Sequence, residues 1–233
     1  MIERGIELVE EASRRGVVLR LLGGLAVAVL APRGAAKYRR EYKDIDLFGY
    51  GKQAGEIAKL LEDMGLEPNR RFNALHGAYR QIYFDPKTGA KVDVFLDELN
   101  MCHRIKLKGR LELLPLTTPP SDLLLSKLQP IKMTQADVVD VLALLNDLEI
   151  ADRDSEREID GERIAKLLAD DWGFYTTATD NIKAILARCD DEVACPKLSS
   201  LLRRIEEEPK TLKWRARAAI GRRIKWYQEP EEV

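Results

Sequence analysis

The chain has 233 residues, 45% of them hydrophobic, which is enough to bury a core and excludes a wholly disordered protein. The formal net charge of -1 indicates neither nucleic acid nor a membrane surface as the partner. The three cysteines, Cys102, Cys189 and Cys195, form no C-x-x-C pair, which argues against a disulfide framework or a zinc site. Reduced cytosol fits this cysteine content best, and we expect a cytoplasmic protein.

The first part of the chain predicts a helix, a buried strand and a second, short helix. Residues 2–15 carry apolar side chains at helical spacing, and 17–22 is the β-branched, apolar run of a buried strand. Gly23-Gly24 ends the strand, and 25–30 is predicted to be a short buried helix. The whole apolar run over 17–31 is too short to cross a bilayer, so we expect no membrane association.

The middle of the chain predicts a basic loop followed by strands and one helix. The loop covers 31–43. Alternation of polar and apolar residues predicts a strand over 44–48, and helical periodicity predicts a helix over 52–64. A hairpin follows, with strands over 77–84 and 90–96 joined by a turn that contains Pro and Gly.

Pro119-Pro120 marks a boundary between two predicted domains, 1–118 and 119–233. The second domain is predicted to be helical throughout, with helices over 121–128, 134–148, 160–168, 179–188, 197–207 and 210–227. The last of these carries seven basic residues and no acidic one. It is either a helix with a solvated basic face or a surface for RNA, with Trp214, Trp226 or Tyr227 stacking on bases.

Three aspartates carry the chemistry of the first domain. Strand alternation puts Asp44 and Asp46 on one face, and Asp93 stands between apolar residues on a later strand. Side-by-side carboxylates repel one another unless a cation lies between them, and oxygen ligands suit magnesium. Gly23-Gly24 supplies a tight turn whose N–H groups, with the following helix N-terminus, can bind phosphate.

The order of these motifs, Gly-Gly, then Asp-Ile-Asp, then Val-Asp-Val, resembles the nucleotidyltransferase superfamily, which is built on a polymerase-β-like core. The resemblance implies an α+β fold, with a nucleotidyltransferase-like mixed β-sheet core and flanking helices followed by an all-helical C-terminal domain. It implies that Asp44, Asp46 and Asp93 are catalytic metal ligands for Mg²⁺ or Mn²⁺, and that Gly23 and Gly24 bind the nucleoside triphosphate.

A second group of residues looks like the later motifs of AbiEii-type nucleotidyltransferases, a family of toxins and related resistance-type enzymes. Asp122 and Lys127 form the pattern Asp-x-x-x-x-Lys at a helix start, and Asp137 and Asp140 follow. The resemblance implies that Lys127 is catalytic and contacts the triphosphate, and that the three aspartates support nucleotide binding. Two alternatives stay open: Asp122 suits a first helical turn, and Asp137 suits a capping box with Thr134.

The implied function is metal-dependent transfer of a nucleoside monophosphate from an NTP to a hydroxyl acceptor. RNA, such as a tRNA end, and a small hydroxylated molecule are both candidate acceptors. The same resemblance implies a toxin role with a cognate antitoxin as partner. Arg40 occupies the position at which related sequences usually have Arg. The alternative is a non-catalytic protein that keeps the fold and binds nucleotide or an antitoxin. Three intact acids favour the enzyme.

Overall fold

A computed structural model describes residues 1–229, which form a mixed β-sheet flanked by helices. The helices are α1 (Ile2–Arg14), α2 (Gly23–Leu30), α3 (Pro32–Lys37), α4 (Ala54–Asp63), α5 (Arg70–His76), α6 (Pro120–Leu128), α7 (Gln135–Asp147), α8 (Gly161–Asp170), α9 (Trp172–Leu186), α10 (Ala194–Glu207) and α11 (Leu212–Ile220). The strands are β1 (Leu19–Leu22), β2 (Asp44–Gly49), β3 (Glu67–Pro68), β4 (Arg80–Asp85), β5 (Ala90–Leu96), β6 (Glu98–Asn100), β7 (Arg104–Lys106), β8 (Glu149–Ala151) and β9 (Glu158–Asp160).

The central sheet has five strands in the order β1-β2-β5-β4-β3. β2 and β5 run parallel, and the other neighbouring pairs run antiparallel. Parallel neighbours need a crossover connection, which here contains α4 and the β3–β4 edge of the sheet. The predicted α+β class, with a mixed sheet and flanking helices, is confirmed.

One face of β2 and β5 is apolar and the other carries the acids. Ile45, Leu47, Val92 and Val94 are fully buried and belong to the hydrophobic core. That core continues into α6 and α7, so the buried cluster includes residues on both sides of the predicted boundary at residue 118. The division of the chain into two domains stays a prediction.

Most predicted elements are present, and the differences are local. The predicted loop over 31–43 contains α3, and α5 lies ahead of the predicted strand at 77–84, which begins only at Arg80. The part after residue 118 is mainly helical, as expected, but it also contains the short parallel pair β8–β9. These additions are short, and segments of three to seven residues give little periodic signal.

The predicted basic helix over 210–227 is shorter in the structure. α11 ends at Ile220, because Gly221 has φ +63, and irregular backbone follows a short 3-10 turn. The ring of Trp214 lies edge-on against Tyr175, and the indole N–H of Trp226 donates to Thr177. Both rings therefore contact other side chains of the protein, and base stacking by these residues stays a prediction.

The structure joins Cys189 and Cys195 by a disulfide, so the expectation of no disulfide is wrong for this pair. The bridge closes the loop between α9 and α10. Inside this loop Asp191 accepts hydrogen bonds from Lys37 and Asn146. Disulfides are uncommon in reduced cytosol, and the cytoplasmic location stays a prediction. Within residues 1–229, no helix combines the length and apolarity needed to cross a membrane.

A buried ion pair fixes α1 against the hairpin of β4 and β5. The Arg4 Nε lies 3.2 Å from the Asp85 Oδ2, and the side chains are 5% and 0% exposed. Arg4 also donates to the Met64 carbonyl. Hydrogen bonds from Thr88, Arg4 and the Lys87 N–H hold the pKa of Asp85 below its usual value, against burial, which acts to raise it.

Removing one partner of this pair is expected to destabilise the protein strongly. Asp85→Ala leaves the Arg4 guanidinium buried without its counter-charge, so we expect a loss of about 3–5 kcal/mol in the free energy of unfolding. Urea unfolding followed by circular dichroism measures it. The control is Glu7→Ala, which removes the half-exposed partner of Arg4 and should cost no more than about 1 kcal/mol. Equal losses for both variants would contradict this account.

Candidate functional site

The parallel pairing of β2 and β5 places the predicted acids on one face of the sheet. Asp46 stands directly opposite Asp93, and Asp44 stands opposite Lys91. Residues opposite each other point to the same face, and so do residues two apart on a strand. Asp44, Asp46 and Asp93 therefore share a face, as the sequence predicted. The electrostatic effect of both neighbours on Asp46 agrees with this closeness.

Asp44 is exposed and has no partner among the described residues, and Asp46 is the more buried acid that also lacks one. It is half-buried, and it accepts no hydrogen bond and forms no ion pair within the described residues. Burial raises the pKa of Asp46 to about 6, and the negative charges of Asp93 and Asp44 act in the same direction. The positive charges of Lys127 and Lys91 oppose the increase. A carboxylate in this environment favours a cation or a proton.

Asp93, in contrast, is already engaged by protein cations. The Arg80 Nε lies 2.8 Å from its Oδ1 and the Arg80 Nη2 lies 2.6 Å from its Oδ2, a two-point contact. Lys91 adds a second cationic group, with its Nζ 3.5 Å from the Asp93 Oδ2. The Arg80 guanidinium also lies over the ring of Phe95, 5.0 Å from its centroid. Asp93 is thus neutralised, whereas its neighbour Asp46 is not.

The Gly-Gly turn fits closely against this site. β1 ends opposite Asp46, and α2 begins at Gly23, which has φ +64. A Cβ at Gly23 would overlap the Asp46 carboxylate, and one at Gly24 would overlap the Arg40 guanidinium. Glycine is therefore favoured at Gly23 both by backbone conformation and by space, whereas at Gly24 a Cβ would require the Arg40 guanidinium to move. The N-terminus of an eight-residue helix consequently lies beside the acids.

Lys127 belongs to a chain of ion pairs that reaches the same turn. Its Nζ lies 2.9 Å from the Asp140 Oδ2 and 3.8 Å from the Asp137 Oδ1. Arg40 binds both oxygens of Asp140 at 2.8 Å. Asp137 also forms a capping box with Thr134 at the start of α7. The structure therefore shows the helix-capping role that was the alternative to a nucleotide-binding role for Asp137. The structure brings Lys127, Asp140 and Arg40 together beside Gly24.

Asp122 belongs to a separate cluster. Its buried carboxylate receives Arg110 at 2.6 Å and Arg163 at 2.6 Å, and Arg110 also binds Asp154. These contacts join α6, α8 and the loop before β9. The structure does not bring Asp122 into the contacts of Lys127 and Asp140, and a nucleotide-binding role for Asp122 stays a prediction.

Whether a metal fits this site depends on which side-chain oxygens are available to bind it. Carboxylate oxygens are suitable ligands for Mg²⁺ or Mn²⁺, and neither Asp44 nor Asp46 has a partner in the described part of the chain. Among residues 1–229, however, no three His, Cys, Asp or Glu side chains form a group ready to hold a metal. In addition, both oxygens of Asp93 already accept hydrogen bonds from Arg80. As they are placed, the described acids offer no ready site for a divalent cation, and metal binding by Asp44, Asp46 and Asp93 stays a prediction.

Two cations at the site were not predicted as site residues. Arg80 reaches Asp93 diagonally across the β4–β5 pair, a contact that depends on strand register. Arg40 reaches Asp140 across 100 residues of sequence. The position of Arg40 before the Asp-Ile-Asp motif was the one available signal, and the sequence carries no comparable signal for Arg80.

No protein-family model matches the chain, and no curated protein matches it either. Among solved structures, the chain is similar to an antigenic nucleotidyltransferase-like protein from Paracoccidioides brasiliensis. The sequence identity is 14% and the TM-score 0.45, over 90% of this chain and 94% of that chain. At this level the likeness assigns neither an activity nor residue roles. The AbiEii-type subgroup stays a prediction.

The raised pKa of Asp46 predicts how stability depends on pH. Between about pH 4 and pH 6 the unfolded chain releases this proton while the native protein keeps it, so the wild type loses stability as pH rises. Asp46→Asn cannot ionise and avoids this loss. Above pH 6 we expect the variant to be more stable, by on the order of 2–3 kcal/mol.

Urea unfolding of both proteins across this pH range measures the difference. The control is Asp63→Asn, which removes an exposed acid that pairs only with Arg15. It should follow the wild type closely at every pH. Parallel stability curves for the wild type and Asp46→Asn would show that Asp46 carries no such penalty.

Proposed function

We propose that this chain is a metal-dependent nucleotidyltransferase that moves a nucleoside monophosphate from an NTP to a hydroxyl acceptor. One observation carries the proposal: the half-buried carboxylate of Asp46 lacks any partner in the described residues, directly beside Asp93 and over the Gly23 turn. Unpaired charge at such a position is costly unless a ligand compensates it. A cation that also binds an anionic substrate meets this need.

The three acids would hold the metal, and the Gly-Gly turn would hold phosphate. Asp44 and Asp46 would bind Mg²⁺ or Mn²⁺, joined by Asp93 after it leaves Arg80. The metal supplies charge that stabilises the attacking and leaving oxygens. The N–H groups at the start of α2, which lies beside Asp46, would bind the phosphate, and Lys127 would add a positive charge.

The proposed reaction is a single displacement. The acceptor hydroxyl oxygen forms a bond to the α-phosphorus, and the bond from that phosphorus to the β-phosphate oxygen breaks. Pyrophosphate leaves, and Asp93 would accept the hydroxyl proton once it has left Arg80. Lys127 stays paired with the carboxylate of Asp140, which also accepts from Arg40. This pairing would hold the Lys127 ammonium near the triphosphate. RNA, a tRNA end and a small hydroxylated molecule are the candidate acceptors, and the toxin role with an antitoxin partner belongs to the same proposal.

A second candidate function is binding of nucleotide without transfer. It is favoured by the two-point contact between Arg80 and Asp93, because a protein that never loads a metal would keep this pair closed. In that case Asp46 would take up a proton rather than a metal. A cognate antitoxin could then be the relevant partner. Metal binding separates the two candidates.

Charge removal at Asp46 is expected to stop transfer without unfolding the protein. Asp46→Asn keeps the shape of the side chain and removes a metal-binding charge, so transfer should fall by several orders of magnitude, about 10³-fold or more. Lys127→Ala should chiefly weaken triphosphate binding, because a lysine acts on phosphate as a point charge. The measurement is release of labelled pyrophosphate from the four NTPs with candidate acceptors.

Thermal melting provides the independent check. Wild-type protein should melt at a higher temperature with Mg²⁺ or Mn²⁺ and an NTP together, and Asp46→Asn should lose most of this increase. Asp63→Asn serves as the control and should behave as wild type in both assays. A wild-type melting temperature unchanged by metal and NTP at millimolar concentrations would refute the proposed function.

A further inference from the structure

Two side chains of the segment that leads into β2 close over the Gly-Gly turn. A Cβ at Gly24 would overlap the Arg40 Nη2, so the guanidinium touches the backbone at the start of α2. The same Cβ would lie 3.0 Å from the Cδ1 of Tyr42. Arg40 and Tyr42 therefore lie together at the turn that is proposed to bind phosphate.

The pairing of Arg40 with Asp140 leaves part of the guanidinium available. An arginine side chain carries five N–H donors in a planar fork. Three are used in the described part of the chain: Nε and Nη2 donate to the two Asp140 oxygens at 2.8 Å each, and Nη1 donates to the Glu41 carbonyl at 3.1 Å. One N–H on each terminal nitrogen has no acceptor among the described residues. Arg40 can therefore donate to a phosphate oxygen without leaving Asp140.

The carboxylate of Asp140 is shared by two cations. The Lys127 Nζ lies 2.9 Å from the same Oδ2 that accepts from Arg40, so these three side chains together carry one positive charge. Asp137 offsets this charge only in part, because it lies 3.8 Å from the Lys127 ammonium and its Oδ2 accepts from Thr134. A polyphosphate suits this place, since it offers an acceptor oxygen to each cation.

The ring of Tyr42 restrains the Arg40 guanidinium. The half-buried ring packs against the hydrophobic core, and the Arg40 Cζ lies 4.6 Å from its centroid. A guanidinium is attracted to the face of an aromatic ring and stacks on it. Burial raises the pKa of Tyr42, against the positive charge of Arg40, so the phenol is neutral at neutral pH. Its hydroxyl makes no hydrogen bond within the described residues, which leaves the ring as the part that contacts Arg40.

We propose that Arg40 contacts the triphosphate and that Tyr42 is the positioning residue that holds Arg40 over the turn. The inference rests on the proposed function for the identity of the anion, and it adds two residues to the triphosphate site. The donors are N–H groups of Arg40 and of the start of α2, so this contact does not depend on a metal ion. Because Asp140 and Tyr42 already restrain Arg40, little of its side-chain freedom is lost on binding.

The test measures binding without transfer. The probes are ATP with a fluorescent N-methylanthraniloyl group on its ribose and inorganic tripolyphosphate as its competitor, each titrated in EDTA and again in Mg²⁺. Tyr42→Leu keeps an apolar contact with the core but removes the ring, so both probes should bind about tenfold more weakly in either condition. Tyr42→Phe keeps the ring and should restore wild-type binding. The matched control is Tyr227→Leu, which removes a ring that contacts Lys225 on the segment after α11 and should leave binding unchanged.

Arg40→Lys tests whether Tyr42 acts through Arg40. Lysine keeps the positive charge but cannot form the fork on Asp140, so tripolyphosphate binding should again weaken by about tenfold. Adding Tyr42→Leu to Arg40→Lys should cause little further loss, because the residue that the ring positions is already gone. A merely structural role of Tyr42 would lower the melting temperature and would add to the effect of Arg40→Lys. Additive losses would overturn the positioning role.

The outcomes separate this inference from the proposed function. If wild type and Tyr42→Leu bind both probes alike, the inference is overturned, and transfer by the wild type would leave the proposed function standing. It is also overturned if Tyr42→Phe binds as weakly as Tyr42→Leu, since the hydroxyl would then hold the ligand. If Tyr42→Leu weakens tripolyphosphate binding but wild type transfers no nucleotide, the polyphosphate site stands and the proposed function fails. Absence of binding of both probes to wild type would refute both.

Discussion

The parallel pairing of β2 with β5 sets Asp46 beside Asp93, and the other charges of the site are arranged around this like-charge contact. Two neighbouring carboxylates on one half-buried face repel each other, so at least one needs a cation or a proton. The protein provides cations on one side only. Arg80 and Lys91 neutralise Asp93. Asp46 forms no such pair: the positive charge of Lys127 only partly opposes the effect of burial, which raises the pKa of Asp46 to about 6. The imbalance leaves one position open to a ligand.

The helices after residue 118 are part of the site through charge as well as packing. Asp140 on α7 receives Lys127 from α6 and Arg40 from the segment that leads into β2. Because a Cβ at Gly24 would overlap the Arg40 guanidinium, this network lies directly over the start of α2. In the proposed function, an incoming triphosphate would therefore meet cations already positioned by a buried carboxylate. Such preorganisation lowers the cost of ordering two long side chains on binding.

The sequence predicted the elements that carry strong local patterns. Alternation identified β2, and periodicity together with the Thr134–Asp137 box identified α7, because both signals are contained within a few neighbouring residues. The pairing of Arg80 with Asp93 could not be predicted, since it depends on the register of β4 against β5. The Cys189–Cys195 bridge was missed for a similar reason: six residues of separation form no motif, and the loop that brings the sulfurs together is set by the packing of α9 and α10.

The other aspartates of the chain indicate what Asp46 lacks. Where this protein buries an aspartate for structure, it supplies cationic or N–H partners: Asp85 has Arg4, Asp122 has Arg110 and Arg163, and Asp191 has Lys37 and backbone N–H groups. Buried carboxylates are tolerated because such partners replace the lost water. Asp46 has none of these within the described residues, although Lys127 is close enough to influence it and is instead paired with Asp140. The aspartates that stabilise the fold are thus paired, whereas Asp46 is left unpaired at a position where a substrate-bound cation would pair it. This contrast is the physical argument that Asp46 belongs to a ligand site and does not serve to stabilise the fold.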